Sequence, residues 1–402
     1  MDFSLSERAA AVTEAVRAFV RDEIEPVERE LRGAGGDRWR VPDEVRELQR
    51  KARDRGLWNL FLPPGHEERY GVGMSNVDYA PVAEATGWSH LAPYVFNCNA
   101  PDTGNAEVLL KYGSEEQRER WLDPLLDGRI RSAFAMTEPG VASSDATNME
   151  LTAVVDGDEV VLDGRKWWTT GVGHPDCAVL IVMGLTDPEA HRYARHSMVL
   201  VPIDAPGVRV ERMLDTMGFF DEPFGHGEVS FTGVRVPLSN VIDGPGRAFE
   251  IAQGRLGPGR VHHAMRLVGL AERALHLACE RGLSRTAFGK PLANLGGNRE
   301  RIAEARIAIN SLRLLILHAA WKLDTEGAAM SEVSQIKVAA PNVAQQVIDF
   351  AMQIHGGAGL SSDFPLAAAW TAARAIRLAD GPDEVHRGVI ARIELAQHGA
   401  TR

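Results

Sequence analysis

Between Leu5 and Glu30 the apolar side chains Val12, Val16, Phe19, Val20, Ile24 and Val27 recur every three or four positions, the period of a helix with one buried face. Ser4 with Glu7 has the form of a capping box, and Pro26 predicts a bend. Pro42 at the start and Gly56 at the close mark a second helix. Asn76–Thr86 and Asp102–Tyr112 read as further helices, and Ser114 with Gln117 caps another that runs to Leu126. At about Arg131 the pattern changes to short runs of β-branched and aromatic residues between Asp-Gly, Gly-His-Pro and Ala-Pro-Gly turns. Glu150–Val155 and Glu159–Leu162 flank Asp156-Gly157-Asp158 as a hairpin, and Val179–Met183, Ser197–Pro202 and Gly227–Phe231 read as strands of a β region ending near Asp243. After Gly246 the helical period returns. Leu267, Leu270, Ala274, Leu275 and Ala278 share one face, and Ile302, Ala305, Ile309, Leu312, Ile316, Ala319 and Leu323 form a seam for helix packing. Three more helices follow over Glu332–Ile354, with a kink expected at Pro341, Leu366–Ala379 and Glu384–Gln397. The fold class is α+β, in the order helical region, β region, helical bundle.

Composition sharpens this picture. With 402 residues, 45% hydrophobic and 25% charged, the chain can bury a large core in two or three domains. Its 44 Lys+Arg against 55 Asp+Glu give a net charge of -11, which disfavours non-specific attraction to nucleic acid or an anionic membrane. Cys98, Cys177 and Cys279 are scattered, which fits a reducing compartment without a disulfide framework or thiolate metal site. Asp2, Glu7 and Arg8 interrupt any secretory signal, and the apolar run Cys177–Leu185 is too short to span a bilayer. The expectation is a cytoplasmic protein with no membrane partner.

Candidate chemistry centres on Phe134–Asp145. An apolar run ending at Met136 meets Thr137, Glu138, Pro139 and Gly140, so a strand gives way to a turn with two serines, a threonine and backbone amides suited to a polar heterocycle or phosphate. Lys166-Trp167-Trp168-Thr169-Thr170-Gly171 sets two indoles beside two hydroxyls; they serve either a sandwich core or a planar cofactor. There is no Gly-x-Gly-x-x-Gly, Walker loop, Gly-x-Ser-x-Gly elbow or His-Glu-x-x-His pair, so nicotinamide, nucleotide-hydrolysis and metalloprotease chemistries lose support. His262-His263 and the His191/His196 pair lack carboxylates at ligand spacing, so no metal is expected.

Read together with Arg285-Thr286-Ala287-Phe288-Gly289-Lys290, Gln353-Ile354-His355-Gly356-Gly357 and Asp380-Gly381-Pro382-Asp383-Glu384, these stretches resemble the FAD-dependent acyl-CoA dehydrogenase family over essentially the whole chain. Gly113–Gln117 with Trp121, Val234–Pro237 and Gly269–Leu275 extend the match. The resemblance implies an acyl-CoA dehydrogenase-like fold with an N-terminal helical domain (1–130), a central β domain (131–245) and a C-terminal four-helix domain (246–402). It also implies a homotetramer with FAD at subunit contacts, acyl-CoA as substrate and an electron-transferring flavoprotein as acceptor. By the same resemblance, Met136, Thr137, Ser143 and the loop amides would meet the flavin, Trp168 would lie near its ring, and Thr170 would hydrogen-bond near its reactive nitrogen. Ser144 would serve both pyrophosphate and thioester. Arg285, Phe288, Gln353, Gly356 and Gly357 would grip the adenosine diphosphate half of a neighbouring subunit's FAD, and Pro382 and Glu384 are further cofactor positions. Gly259, Arg260 and Gly381 would face substrate.

In such enzymes a carboxylate removes the α-proton of an acyl thioester while a β-hydride passes to the flavin, giving 2-enoyl-CoA. The family's usual base is a glutamate; here its position is Asp380, supported by Arg260, and the alternative glutamate position is Gly259. Val141–Asp145 and Asp380–His386 look most like the branch that animals fuse behind a kinase-like domain, which implies long-chain or 4-hydroxyacyl-CoA substrates. Two alternatives remain. One is a flavin oxidase similar to the nitroalkane oxidases, which also use an aspartate base. The other is a non-catalytic DNA-binding relative, which the net charge disfavours.

Overall fold

The computed structural model describes residues 4–32, 35–71 and 73–399, apart from the side chains of 255–258. Helices α1 (Glu7–Phe19), α2 (Glu25–Leu31), α3 (Asp43–Asp54), α4 (Glu67–Tyr70), α5 (Asn76–Thr86), α6 (Ala92–Val95), α7 (Asp102–Tyr112), α8 (Glu115–Gln117) and α9 (Asp123–Leu126) come first. Strands β1 (Arg131–Ala135), β2 (Thr152–Asp156), β3 (Glu159–Thr170), β4 (Cys177–Leu185), β5 (His196–Pro202), β6 (Val208–Leu214) and β7 (His226–Pro237) follow. Next comes α10 (Ala248–Ser284), then a small hairpin of β8 (Thr286–Ala287) and β9 (Lys290–Pro291). The chain closes with α11 (Asn298–Glu326), α12 (Met330–His355), α13 (Leu366–Ile376) and α14 (Asp383–Gln397).

Local chemistry explains most boundaries. The first cap is Ser6 rather than Ser4: its Oγ accepts the Ala9 N–H at 3.1 Å. The irregularity expected at Pro26 is a π-helical segment, Val20–Ile24, which runs directly into α2 with Pro26 in its first turn. The Ser114–Gln117 capping box is present in both directions. Pro341 lies inside α12, which runs through it to His355.

The chain divides into two compact units, Met1–Gly35 with Glu47–Phe96 and Gly257–Arg402, and Gly36–Arg46 with Asn97–Leu256. The second contains the sheet, ordered β1-β4-β2-β3-β7-β6 with β5 on β4 and a further β1–β3 pairing. The expected hairpin pairs Asp156 with Glu159. Strand β3 continues well past Leu162 to Thr170, and β6 was not anticipated because its Val208-Arg209-Val210-Glu211 alternation is cut short at Arg212, where the register against β7 shifts. Ala153, Leu162, Leu180, Val182, Val199, Val229 and Phe231 are among the buried residues that fill the core of this unit.

In the first unit α12 packs on α11, α13 and α14. The seam residues Ala305, Ile309, Leu312, Ile316 and Ala319 are buried as their spacing requires. His262 on α10 is also core: its ring meets Tyr79 edge-on at 4.6 Å, and its Nδ1 has no hydrogen-bond partner among the described residues. Burial pushes it down to about 3 from the ordinary histidine value, with Arg266 and His263 adding to the effect. An unfolded chain therefore takes up a proton here between about pH 6.5 and 3 while the folded chain does not, so this contribution is complete above pH 6.5 and is lost as pH falls. At pH 5 the loss is about 2 kcal/mol for this one group. His262→Phe keeps the ring contact without the titration and is expected to flatten the fall in melting temperature between pH 7 and 5. An unchanged slope would place the acid sensitivity elsewhere.

Candidate active site

Two groups of candidate residues are built separately, one in each unit. In the sheet unit, β3 is interrupted twice: its register against β7 shifts between Leu162 and Gly164 and again between Lys166 and Thr169. The second shift is a bulge that inserts one residue, and Trp168 within it has φ 50° and keeps 38% of its surface exposed. Bulges re-aim side chains, and this one turns the indole outward while Lys166 and Thr169 stay fully buried.

Lys166 fixes the neighbouring loop. Its Nζ donates to Met136 O at 2.8 Å and to Glu138 Oε1 at 2.7 Å. The Glu138 carboxylate also accepts the N–H groups of Glu150 at 2.8 Å and Leu151 at 2.9 Å. Ser143 Oγ accepts the Glu138 N–H at 2.9 Å and closes the turn, and Trp167 N–H donates to Thr137 O at 2.9 Å. Thr137 thus sits beside the tryptophan segment. Ser144 is exposed, and a Cβ added at Gly140 would meet nothing within 4 Å. Thr170 lies opposite His226 in the sheet, with Oγ1 and Nδ1 3.0 Å apart. His226 escaped the sequence reading because cross-strand pairing alone brings it to Thr170.

These residues fit a flavin. An outward indole supplies a flat face, Thr170 a hydroxyl, and the Gly140 turn open backbone. Trp167 Nε1 is buried without an acceptor among the described residues, a donor still to be satisfied.

In the helical unit, Asp380 lies in the turn between α13 and α14. It has φ 55° and Gly381 has φ 96°, a left-handed pair that aspartate and glycine tolerate better than most residues. Three helices hold this turn through its carbonyls. Arg260 Nη2 from α10 donates to Asp380 O at 3.1 Å, and His386 Nε2 from α14 lies 3.2 Å from the same oxygen. Lys337 Nζ from α12 donates to Ile376 O at 2.7 Å and Gly381 O at 2.8 Å. The carboxylate itself points elsewhere, with Oδ2 3.8 Å from His263 Nε2. Arg266 Nη2 meets His263 Nδ1 at 3.2 Å; since a guanidinium only donates, the imidazole proton belongs on Nε2, facing Asp380. His263 follows Arg260 by one helical turn, a spacing that could have singled it out.

Burial pushes Lys337 down to about 8, against the pull of Asp380 and Asp383, and pushes His386 down to about 4, helped by Arg260. A role for Asp380 as helix cap is not what the structure shows: the cap of α14 is Pro382, with no side-chain cap bond. Asp383 is buried and paired with Arg377 Nε at 2.8 Å, and Glu384 is exposed. A Cβ added at Gly259 would meet nothing within 4 Å.

The remaining candidates lie on the outside of the same unit. Arg285 directly follows α10, and Phe288 at the tip of the β8–β9 hairpin has φ 50° and is 95% exposed. Gln353 is exposed in the last turn of α12, and Gly356 and Gly357 border open space. Arg281 Nη2 donates to His355 O at 3.4 Å, so the end of α10 and the turn after α12 meet.

Profiles described as the N-terminal, middle and C-terminal domains of acyl-CoA dehydrogenase match residues 6–129, 133–234 and 246–395. The chain is 51% identical to mouse acyl-CoA dehydrogenase family member 10 over 97% of its own length but only 37% of that protein's, and it spans about half of rat family member 11. It is 49% identical to "Probable acyl-CoA dehydrogenase FadE2" of Mycobacterium tuberculosis, covering 100% of this chain and 98% of that protein. A solved structure from Mycobacterium abscessus, presented as a candidate acyl-CoA dehydrogenase, superposes with a TM-score of 0.96 at 68% identity over 98% of this chain and 100% of that one. The chain belongs to the acyl-CoA dehydrogenase family of FAD-dependent oxidoreductases, with that family's three-part fold of N-terminal helices, middle β domain and C-terminal helices.

Proposed function

We propose that this chain is an FAD-dependent acyl-CoA dehydrogenase in which Asp380 removes the α-proton of an acyl-CoA thioester, giving a 2-enoyl-CoA. The observation that carries the assignment is the Asp380 turn: three cationic or imidazole side chains hold its carbonyls, and its carboxylate is turned toward His263, with Oδ2 3.8 Å from Nε2. A base must come within hydrogen-bond reach of its proton, so a turn held this firmly serves positioning. Arg260 supports the base through the backbone; Gly259, which borders open space, leaves room for substrate, and Gly381 is a further substrate position whose missing Cβ makes way for His386. FAD, when bound, accepts the β-hydrogen with its electron pair. Met136, Thr137, Ser143, Ser144, Trp168 and Thr170 hold its flavin half, with Pro382 and Glu384 as further contacts.

Arg285, Phe288, Gln353, Gly356 and Gly357 reach the adenosine diphosphate half held by another subunit of a homotetramer. A ring 95% exposed at a hairpin tip is expected to be covered in the assembly. Arg285→Ala should then weaken FAD retention severalfold, measured by dialysis and absorbance; retention equal to wild type removes Arg285 from the cofactor site. The domains divide at 1–130, 131–245 and 246–402. The substrates are long-chain or 4-hydroxyacyl-CoA thioesters, an electron-transferring flavoprotein takes the electrons, and the compartment is cytoplasmic. Among the described residues no helix is long and apolar enough to cross a membrane.

Asp380 also supports a second reading, a nitroalkane-oxidase-like flavin oxidase, because aspartate is the base there. Anaerobic titration of the holoenzyme with a panel of acyl-CoA thioesters separates the two. Bleaching of the flavin by acyl-CoA with slow reoxidation in air is expected. Turnover with a nitroalkane and oxygen, with no bleaching by any thioester, would replace the proposal with the oxidase.

A further inference from the structure

We propose that His226 is a positioning residue that fixes the direction of the Thr170 hydroxyl, committing its proton to the imidazole and leaving the oxygen lone pairs for the flavin. The inference rests on the flavin reading above.

Thr170 and His226 are directly opposite each other in the β3–β7 ladder, so the backbone register itself sets the distance between them. Thr170 Oγ1 is 3.0 Å from His226 Nδ1. On the far side of the ring, Nε2 is 3.7 Å from Asp221 Oδ2. A neutral imidazole carries one N–H and one lone pair, and the neighbouring carboxylate favours the proton on Nε2. Nδ1 is then an acceptor, and the hydroxyl must donate to it. The other acceptor within reach of that hydroxyl, Trp168 O, is at 3.5 Å and competes weakly. Trp168 covers the arrangement, its ring centre 5.6 Å from that of His226. Burial lowers the His226 pKa and so favours the neutral ring that this pattern needs.

The consequence is selective. A hydroxyl that has given its proton to histidine can only accept from its remaining neighbour. The reactive nitrogen of an oxidised flavin is an acceptor, whereas in the reduced flavin it bears a hydrogen. The Asp221–His226–Thr170 chain therefore favours the reduced state. Without the imidazole, the hydroxyl can turn and donate to the oxidised ring instead.

The test uses the holoenzyme and begins with FAD content and the visible spectrum, so loss of the flavin reading is seen before, and separately from, loss of this inference. Midpoint potentials are then measured for wild type, His226→Leu, His226→Asn, Thr170→Val and the Thr170→Val/His226→Leu double variant. His226→Leu is expected to lower the ratio of reduced to oxidised flavin about tenfold, which is about 30 mV for two electrons. Asparagine keeps an acceptor at the δ position and should hold the potential near wild type. In the Thr170→Val background the leucine change should add nothing, because the residue through which His226 acts is gone. An unchanged potential in His226→Leu, or an equal shift with and without the Thr170 hydroxyl, overturns the proposal. If the leucine variant does not fold, His226→Gln, whose amide lies at the ε position, takes its place with the same expected shift and the same overturning results.

Discussion

Asp380→Asn is expected to suppress reduction of the bound flavin by acyl-CoA by orders of magnitude while leaving FAD content, melting temperature and thioester binding close to wild type. The substitution preserves shape and removes only the basic oxygen. The backbone should stay in place because Arg260, Lys337 and His386 bind carbonyls of residues 376, 380 and 381 and not the side chain being altered. Asparagine also tolerates the left-handed backbone that Asp380 adopts at φ 55°. Since the carboxylate does not cap α14, no helix-end bond is lost. Asp380→Glu is the sharper control: it restores the family's usual residue but lengthens the side chain by one methylene beside His263, so activity should fall despite an intact carboxylate. Reduction of Asp380→Asn at the wild-type rate would end the assignment. The next carboxylate to test would be the exposed Glu384, because Asp383 is buried against Arg377.

The sequence revealed the parts of this architecture that depend on local period and on short motifs. Helical spacing located the buried seam of α11, and the Asp156-Gly157-Asp158 turn set the β2–β3 register. Glu138, Lys166, His226 and His263 were harder to read for a common reason: each acts through a partner that only folding brings near. Lys166 meets Glu138 across 28 positions, His226 meets Thr170 across 56, and His263 meets Asp380 between two helices. The bulge that turns Trp168 outward is likewise set by mismatch with β7, not by the composition of β3. Charged residues inside a strand are usually assigned to its solvent face, a rule Lys166 breaks at 0% exposure.

That exception leads to the largest stability effect expected in the chain. Lys166→Met would leave the Glu138 carboxylate buried, still bonded to the Glu150 and Leu151 amides but without a counter-charge, and breaking such a pair from one side costs about 3–5 kcal/mol. Burial already holds Lys166 down to about 8 even with Glu138 opposing the shift. Between about pH 8 and 10.5 the unfolded chain therefore binds more protons at this position than the folded one, so the lysine's own contribution becomes more favourable as pH rises through that window. At pH 7 its burial is a cost that the Glu138 contact offsets only in part, so removing both charges should do less harm than removing one. Lys166→Met/Glu138→Gln is accordingly expected to melt above Lys166→Met, although the carboxamide keeps one acceptor oxygen and so protects only one of the Glu150 and Leu151 amides from hydrogen exchange. A single variant that melts like wild type, or a double variant that melts below the single, would show that the pair does not hold the Met136–Ser143 loop. If it does hold that loop, the single variant should also release FAD faster, because Met136 O and the turn closed by Ser143 lose the ammonium that anchors them.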